Sequence, residues 1–433
     1  MISMLQEGHT LVSVNHVAYK VVRLLGSGGQ GEVYEVLCDN KRFALKWYHH
    51  HMATSNQRAI LDKLIESQKP DSRFLWPIDI IEDKKSFGYV MELRQDQYKS
   101  IVDLMKRRAE PTFYALCTAG YNLADCFQKL HSKGYSYQDI SFGNTFFNPE
   151  NGDIIICDND NVTINGKTSS NIQGTLGFMA PEIVTGKRDP STATDLFSLA
   201  ILLFYMFMLH HPLEGKKEAD IKCFDIAAKH KIYGQKPVFI WDPHNDSNRP
   251  VMGYQDNAII YWKIYPEFVK DLFIRAFTEG MHHPNKRIVE NQWKRAFIQL
   301  RDSIIQCQKC GAENFYDALK YDQGKEHICW SCASAIHLPP RLVISSFSIM
   351  LNQNTKIYKH HLNNDFDLKT EIAQVSRHPN DPNKWGLKNV SKDNWSLTKP
   401  DGSIVLIEPG RNVPLISGMK ININGIIAQL QDN

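Results

Sequence analysis

The hydrophobic pattern of this chain is mainly strand-like in its first hundred residues and mainly helical in the next two hundred, and that change limits the folds open to it. Up to about residue 92 the apolar residues alternate, as on half-buried strands. Segments 17–25, 31–37, 41–48, 74–82 and 86–92 read as strands, with one helix at 56–66 carrying Ile60, Leu61, Leu64 and Ile65 on one face. After about residue 110 the spacing turns helical, at 112–132, 192–209, 217–230, 266–279 and 290–305. A β-rich small lobe followed by a helical large lobe is expected over residues 10–303. The run 196–209 is apolar except for Ser198. As a helix it spans about 21 Å, short of the ~20 residues that a bilayer needs. It is expected as a buried core helix, with no membrane partner. Residues 1–8 carry Glu7 and no apolar core, so no signal peptide is expected and the chain reads as soluble and cytoplasmic.

Within 26–33, Gly26-Ser27-Gly28-Gly29-Gln30-Gly31-Glu32-Val33 fits G-x-G-x-x-G-x-V. Glycines let a backbone approach phosphates, and they equally serve any tight hairpin. This stretch lies between two strands. A dinucleotide fold would place it between a strand and the helix whose N-terminus holds the pyrophosphate. Further along come Ala44-Leu45-Lys46 on a strand and Tyr137-Gln138-Asp139-Ile140-Ser141-Phe142-Gly143-Asn144. Asp158 follows the apolar strand Ile154-Ile155-Ile156-Cys157. Then come Gly174-Thr175-Leu176-Gly177-Phe178-Met179-Ala180-Pro181-Glu182, Asp195 and Arg287.

In order and spacing these motifs resemble the eukaryotic-like protein kinase family, over about 280 residues. The resemblance implies a bilobal fold, ATP and Mg²⁺ as cofactors, and a protein substrate. Phosphoryl transfer needs positioning and charge neutralisation more than covalent help. Lys46 would hold the α- and β-phosphates under the glycine stretch (Gly26, Ser27, Gly28, Gly29, Gln30, Gly31). Asp139 would accept the hydroxyl proton, and Asn144 and Asp158 would hold Mg²⁺. Adenine would lie beneath Val33 and Ala44, against the backbone of Glu92 and Leu93, with Met91 as gatekeeper. Glu182 and Arg287 would form a structural ion pair, Asp195 would brace the loop around Asp139, and Thr175 favours Ser/Thr acceptors.

The chain departs from the family pattern in several places. Tyr137-Gln138 replaces His-Arg before Asp139, and glutamine cannot form a charge-assisted bidentate pair with a loop phosphate. Ser141 stands where Ser/Thr kinases carry a lysine. Asp158-Asn159-Asp160 replaces Asp-Phe-Gly. On the first helix, Gln57 takes the place of the family's glutamate, while Glu66 falls on the opposite face. Lys46 therefore either lacks its usual ion-pair partner or takes one from elsewhere. The alternative function is a pseudokinase, a nucleotide-binding scaffold that recruits partners through its C-terminal modules.

Four of the nine cysteines form C-x₂-C-x₁₈-C-x₂-C: Cys307, Cys310, Cys329 and Cys332. Two such knuckles close a tetrahedral, structural Zn²⁺ site. Lys309, Lys320 and Lys325 would offset its negative charge. A zinc ribbon is expected at 304–337. The linker Leu338-Pro339-Pro340-Arg341 leads to short β-rich runs with the turn signals Pro409-Gly410 and Asn424-Gly425. Residues 342–433 read as an all-β sandwich. Val375-Ser376-Arg377-His378, Trp385-Gly386-Leu387-Lys388-Asn389 and Ile421-Asn422-Ile423-Asn424-Gly425 resemble forkhead-associated-like domains, whose early Gly-Arg is missing here. Arg377 and Asn394 are the candidates for a phosphothreonine.

The expected fold is thus a multidomain α+β chain. The order kinase, zinc ribbon, β domain resembles bacterial signalling or stress-response kinases. Some of those are encoded beside a von Willebrand A-type protein and a phosphatase, which implies such partners. With 50 basic against 47 acidic residues the net charge is +3, so no nucleic-acid partner is expected.

Overall fold

The structure, a computed structural model, describes residues 4–84, 86–166, 174–318, 327–378 and 381–432. The chain divides into two compact units. One comprises Met1–Lys263 with Lys270–Arg295, the other Ile264–Val269 with Ala296–Asn433.

The first unit opens with an antiparallel sheet in the order β1-β2-β3-β4-β6-β5, formed by β1 (Thr10–Val12), β2 (Ala18–Ser27), β3 (Gly31–Cys38), β4 (Lys41–Tyr48), β5 (Asp79–Glu82) and β6 (Phe87–Glu92). Strand alternation assigns its faces. Leu45 and Trp47 join Tyr19, Val21, Tyr34, Val36 and Val90 on one side. Ala44 and Tyr48 join Leu61, Leu75, Tyr89 and Met91 on the other. Helix α1 (Ser55–Glu66) covers this second side, and the Thr54 side chain caps it by accepting from the Gln57 N–H. The expected strand 74–82 is shorter than its pattern suggests. Pro77 donates no hydrogen bond, and regular pairing begins only at Asp79.

The large lobe is helical: α2 (Ile101–Met105), α3 (Phe113–Ser132), α4 (Pro181–Val184) and α5 (Thr192–Met208). Every residue of α5 from Phe197 onward is buried, as the apolar run required. Among the described residues, no helix is long and apolar enough to cross a membrane. The expected helix 217–230 is instead two short helices, Lys216–Ala219 and Ile226–His230. The Asp225 side chain accepts from the Ala228 N–H, so this residue starts a new helix and does not continue the old one. Asp256–Ile264 forms a helix that the pattern did not reveal.

The helix expected to reach 305 begins in the first unit and stops at Asp302 in the second. The β-branched pair Ile304-Ile305 then turns into a strand paired with Glu313–Phe315. The C-terminal region is all β apart from the short helix His360–Asn363. It holds a six-stranded and a four-stranded antiparallel sheet. The two share one core, in which Leu342, Trp395, Ile421 and Leu430 from one sheet meet Ile357, Val375, Leu387 and Val413 from the other. Asn424 and Gly425 make the two-residue turn joining Lys420–Ile423 to Ile426–Gln431, both at positive φ (52° and 89°).

Candidate functional sites

The small lobe's second face and the start of the large lobe enclose a cleft of about 880 Å³. Gly26, Ser27, Gly28, Gly29, Gln30, Gly31, Val33, Ala44, Lys46, Met91, Glu92, Leu93, Asp139, Asn144 and Asp158 all line it. Every nucleotide-site residue singled out in the sequence is therefore in one place. Arg94 and Phe146 also line the cleft, with the guanidinium 4.2 Å above the ring. The sequence did not point to them.

Lys46 reaches this face because it lies between Ala44 and Tyr48 in strand period, and in β6 it pairs across the ladder with Tyr89. Its ammonium is buried. It donates to Gln30 Oε1 at 2.5 Å, to both Asp160 oxygens at 3.1 and 3.0 Å, and to Asp158. Burial alone would lower its pKa, but Asp160 and Asp158 outweigh that and hold it above the ordinary lysine value. Asp160 also accepts from the Tyr48 hydroxyl and, at 3.1 Å, from that of Tyr89. Burial and the neighbouring carboxylate push both phenols well above their usual range, so they remain donors. Gln57 is buried on α1, and its amide donates to Tyr48 Oη (3.2 Å) and to the Asp160 carbonyl (3.1 Å). Glu66 is exposed, as its place on the helix implied. Tyr48, Tyr89 and Asp160 escaped the sequence reading. Two signals were present: Tyr48 lies two residues from Lys46, and Asp160 two residues from Asp158.

The Asp139 loop is assembled from below. Asp195 at the start of α5 accepts from the backbone N–H groups of Tyr137 (2.6 Å) and Gln138 (2.9 Å). Buried Tyr137 donates through its hydroxyl to the Cys157 carbonyl, which ties this loop to the one carrying Asp158. Gln138 stands at φ 72° and donates to Thr163 Oγ1. Asn144 Nδ2 donates to the Asp139 carbonyl and carboxylate, each at 2.9 Å. That leaves its oxygen for a cation. Thr175 donates to Asp139 Oδ1 through both N–H (2.9 Å) and hydroxyl (2.8 Å). This approach requires Gly174. Its φ is +82°, and a Cβ there would lie 2.8 Å from the Gln138 carbonyl oxygen. Burial raises the Asp139 pKa, and the Thr175 and Asn144 donors restrain the rise. Burial likewise lifts Asp158 to about 6, against the pull of Lys46. Arg287 Nη2 lies 2.8 Å from the Glu182 carboxylate.

These groups fit a nucleotide with Mg²⁺. A buried ammonium and an open glycine backbone suit phosphate oxygens, and one carboxylate and one amide oxygen are hard ligands suited to Mg²⁺.

The four cysteines of the second unit also come together. All four sulfurs lie within 4.8 Å of one another. Cys307 and Cys332, and likewise Cys310 and Cys329, are 3.7 Å apart. Four thiolates about 2.3 Å from a tetrahedral Zn²⁺ would be about 3.8 Å apart, so the cluster fits that ion. The two knuckles match in their turns: Gly311 N–H donates to the Cys307 carbonyl at 2.8 Å, and Ala333 N–H to that of Cys329 at 2.9 Å. Of the lysines expected to balance the charge, Lys320 and Lys325 lie outside the described residues. In the β region, the Arg377 guanidinium sits 4.6 Å above the Trp385 ring and donates to Gln353.

Among curated proteins, the "Probable serine/threonine-protein kinase CCRP1" of Zea mays is 27% identical over 212 residues, 47% of this chain and 33% of that protein. The serine/threonine-protein kinase polo of Drosophila melanogaster is 23% identical over 265 residues, 56% and 44% of the two chains. PknD of Chlamydia felis, a bacterial serine/threonine-protein kinase, is 24% identical over 247 residues, 47% and 25%. The aligned part spans less than half the length of each of these relatives. The family model for the protein kinase domain matches residues 19–286, which is most of the chain and contains the whole cleft. By that match, with the cleft residues gathered as the motifs required, the chain belongs to the protein kinase family.

Proposed function

We propose that the chain is an ATP- and Mg²⁺-dependent protein kinase acting on serine and threonine hydroxyls. The observation that carries this reading is the meeting of Lys46, Asp139, Asn144 and Asp158 in one cleft. The nucleotide would supply the γ-phosphoryl group, and the ion would neutralise charge between the phosphates. Lys46 would pair the α- and β-phosphates, while Asn144 Oδ1 and the Asp158 carboxylate would hold the ion. Asp139 would orient the acceptor hydroxyl and take its proton. Burial raises this carboxylate's pKa and so makes it a better base. Thr175, bonded to Asp139, would shape the entry for a small aliphatic hydroxyl. The relatives' names as serine/threonine kinases support the acceptor class.

We further read 10–303 as the kinase domain, 304–337 as a structural zinc ribbon and 342–433 as a β-sandwich of forkhead-associated type that engages protein partners. A phosphatase and a von Willebrand A-type protein, in a bacterial signalling setting, are the partners in this reading. The scaffold alternative draws on the neutral side chains of Gln138 and Ser141, where the family keeps cations. Labelled transfer decides between the two. With γ-labelled ATP and Mg²⁺ the chain should label itself or a substrate, and Asp139→Ala and Asp158→Ala should each lower the rate at least a hundredfold. Nucleotide binding with no transfer above the Asp158→Ala level would establish the scaffold.

A further inference from the structure

We propose that Asp160 is the positioning residue for Lys46, supplying from the loop after Asp158 the counter-charge that family members place on the first helix. The proposal rests on the kinase reading and extends it to how the site is assembled.

A buried ammonium needs an opposite charge within a few ångströms, because burial otherwise favours its neutral form. Among the described residues, the ion-pair partners of Lys46 are Asp158 and Asp160. They are not equivalent. The Asp158 side chain is 27% exposed and lines the cleft, so its oxygens are available to a cation. The Asp160 side chain is fully buried and lies outside the cleft lining. Two phenol hydroxyls and the lysine converge on its carboxylate, fixing it in place. Burial would raise its pKa, but Lys46 and Tyr48 hold it below the usual carboxylate value.

Helix α1 brings no charge to this cluster. Its inward residue is Gln57, a neutral amide bonded to Tyr48 and to the Asp160 main chain. Asp62 pairs with Arg58, and Glu66 is exposed. The loop is also pinned from beneath. Asn159 is fully buried, and its amide donates to the carbonyls of Leu75 (2.8 Å) and Ile156 (3.1 Å). Asp158 at φ 56° followed by the turn Asn159–Asn161 aims both acids at one ammonium. Alignment of Lys46 is therefore coupled to the conformation of the metal-binding loop. An outward swing of α1 would break the two Gln57 hydrogen bonds and the packing of Leu61, yet it would remove no charge from the ion pair.

The test uses the full chain with Asp160→Asn, Gln57→Ala and the double variant Gln57→Glu/Asp160→Asn. MgATP affinity is read by displacement of a fluorescent nucleotide, and kcat by labelled transfer. Asp160→Asn should loosen MgATP at least tenfold and lower kcat at least a hundredfold. Gln57→Ala should change each by less than tenfold. The double variant should regain at least tenfold in affinity over Asp160→Asn, because the carboxylate returns from the helix side. A purely structural defect would not be rescued this way. If Asp160→Asn does not fold, Tyr89→Phe carries the test: MgATP loosened threefold or more upholds the proposal, and wild-type affinity overturns it. Equal losses at 57 and 160, an Asp160→Asn variant within threefold of wild type, or a folded double variant without recovery would each overturn it too. Absence of phosphoryl transfer in the wild type would sink the kinase reading alone, since the affinity arm still reports on Asp160.

Discussion

His131, near the end of α3, stands between two acids, with Nε2 3.1 Å from Asp195 and Nδ1 bonded to Glu290. Burial pulls its pKa down, but the two carboxylates outweigh burial and hold it at about 9, against 6.5 for a free imidazole. The folded pKa lies above the unfolded one. The stabilisation is therefore complete below about pH 6.5 and fades as pH rises through 9, amounting to roughly 3 kcal/mol at 1.36 kcal/mol per unit. In urea unfolding, the gap between wild type and His131→Gln should be largest at pH 6 and mostly gone by pH 9.5. A gap independent of pH would contradict this account. Gly174→Ala sets a Cβ against the Gln138 carbonyl and should pull Thr175 away from Asp139. Transfer should fall at least tenfold while MgATP affinity stays within twofold of wild type; a loosened nucleotide would place the damage elsewhere. At this scale, Lys46, Asp139, Asn144 and Asp158 were singled out by a family resemblance carried by motif order and spacing, and the structure brings all four to one cleft. Asp160 was hidden because an ion-pair partner is chosen in space, and Gln57 gave no charge to follow.

Most elements of the first unit followed the hydrophobic pattern. The strands β2, β3, β4 and β6 and the helices α3 and α5 fall within two residues of their expected limits. The pattern overran where a single residue intervened: Pro77 before β5 and the capping Asp225 between two short helices. The segment carrying Thr168, Ser169 and Ser170 lies outside the described residues. The Gln138 amide is neutral and bonded to Thr163, so the residue before Asp139 offers a loop phosphate no cation. Replacing all three hydroxyl residues by alanine should keep kcat within threefold. A hundredfold loss, about 2.7 kcal/mol, would mean that some other cation reads a phosphate there.

At the scale of the whole molecule, the cysteine pairs were the clearest signal outside the kinase region, since interval and residue type again follow from coordination. Cys307 and Cys329 belong to one small core with Ile305, Tyr316, Ile336 and Met350. So few apolar groups cannot hold a segment of this size, and bound metal should supply on the order of 10 kcal/mol. Elemental analysis should find one zinc per chain. Cys329→Ser should lose the zinc and open residues 304–337 to protease, with MgATP affinity unchanged. Zinc-free wild type, or a variant that keeps both metal and protection, would refute the assignment. Less of the C-terminal region was legible, because its short strands carry weak periodicity and their pairing is long-range.

The second unit is not drawn from one stretch of chain. Tyr265, on the short piece Ile264–Val269, packs 5.3 Å from Phe315, and Asp317 accepts from the Glu267 N–H at 3.4 Å. In genetic terms, residue 295 is not a clean seam. A recombination event that joined a new C-terminal region after residue 295 would inherit an orphaned aromatic some thirty residues upstream. Exchange of these modules in evolution would have to change two separated stretches of the gene together.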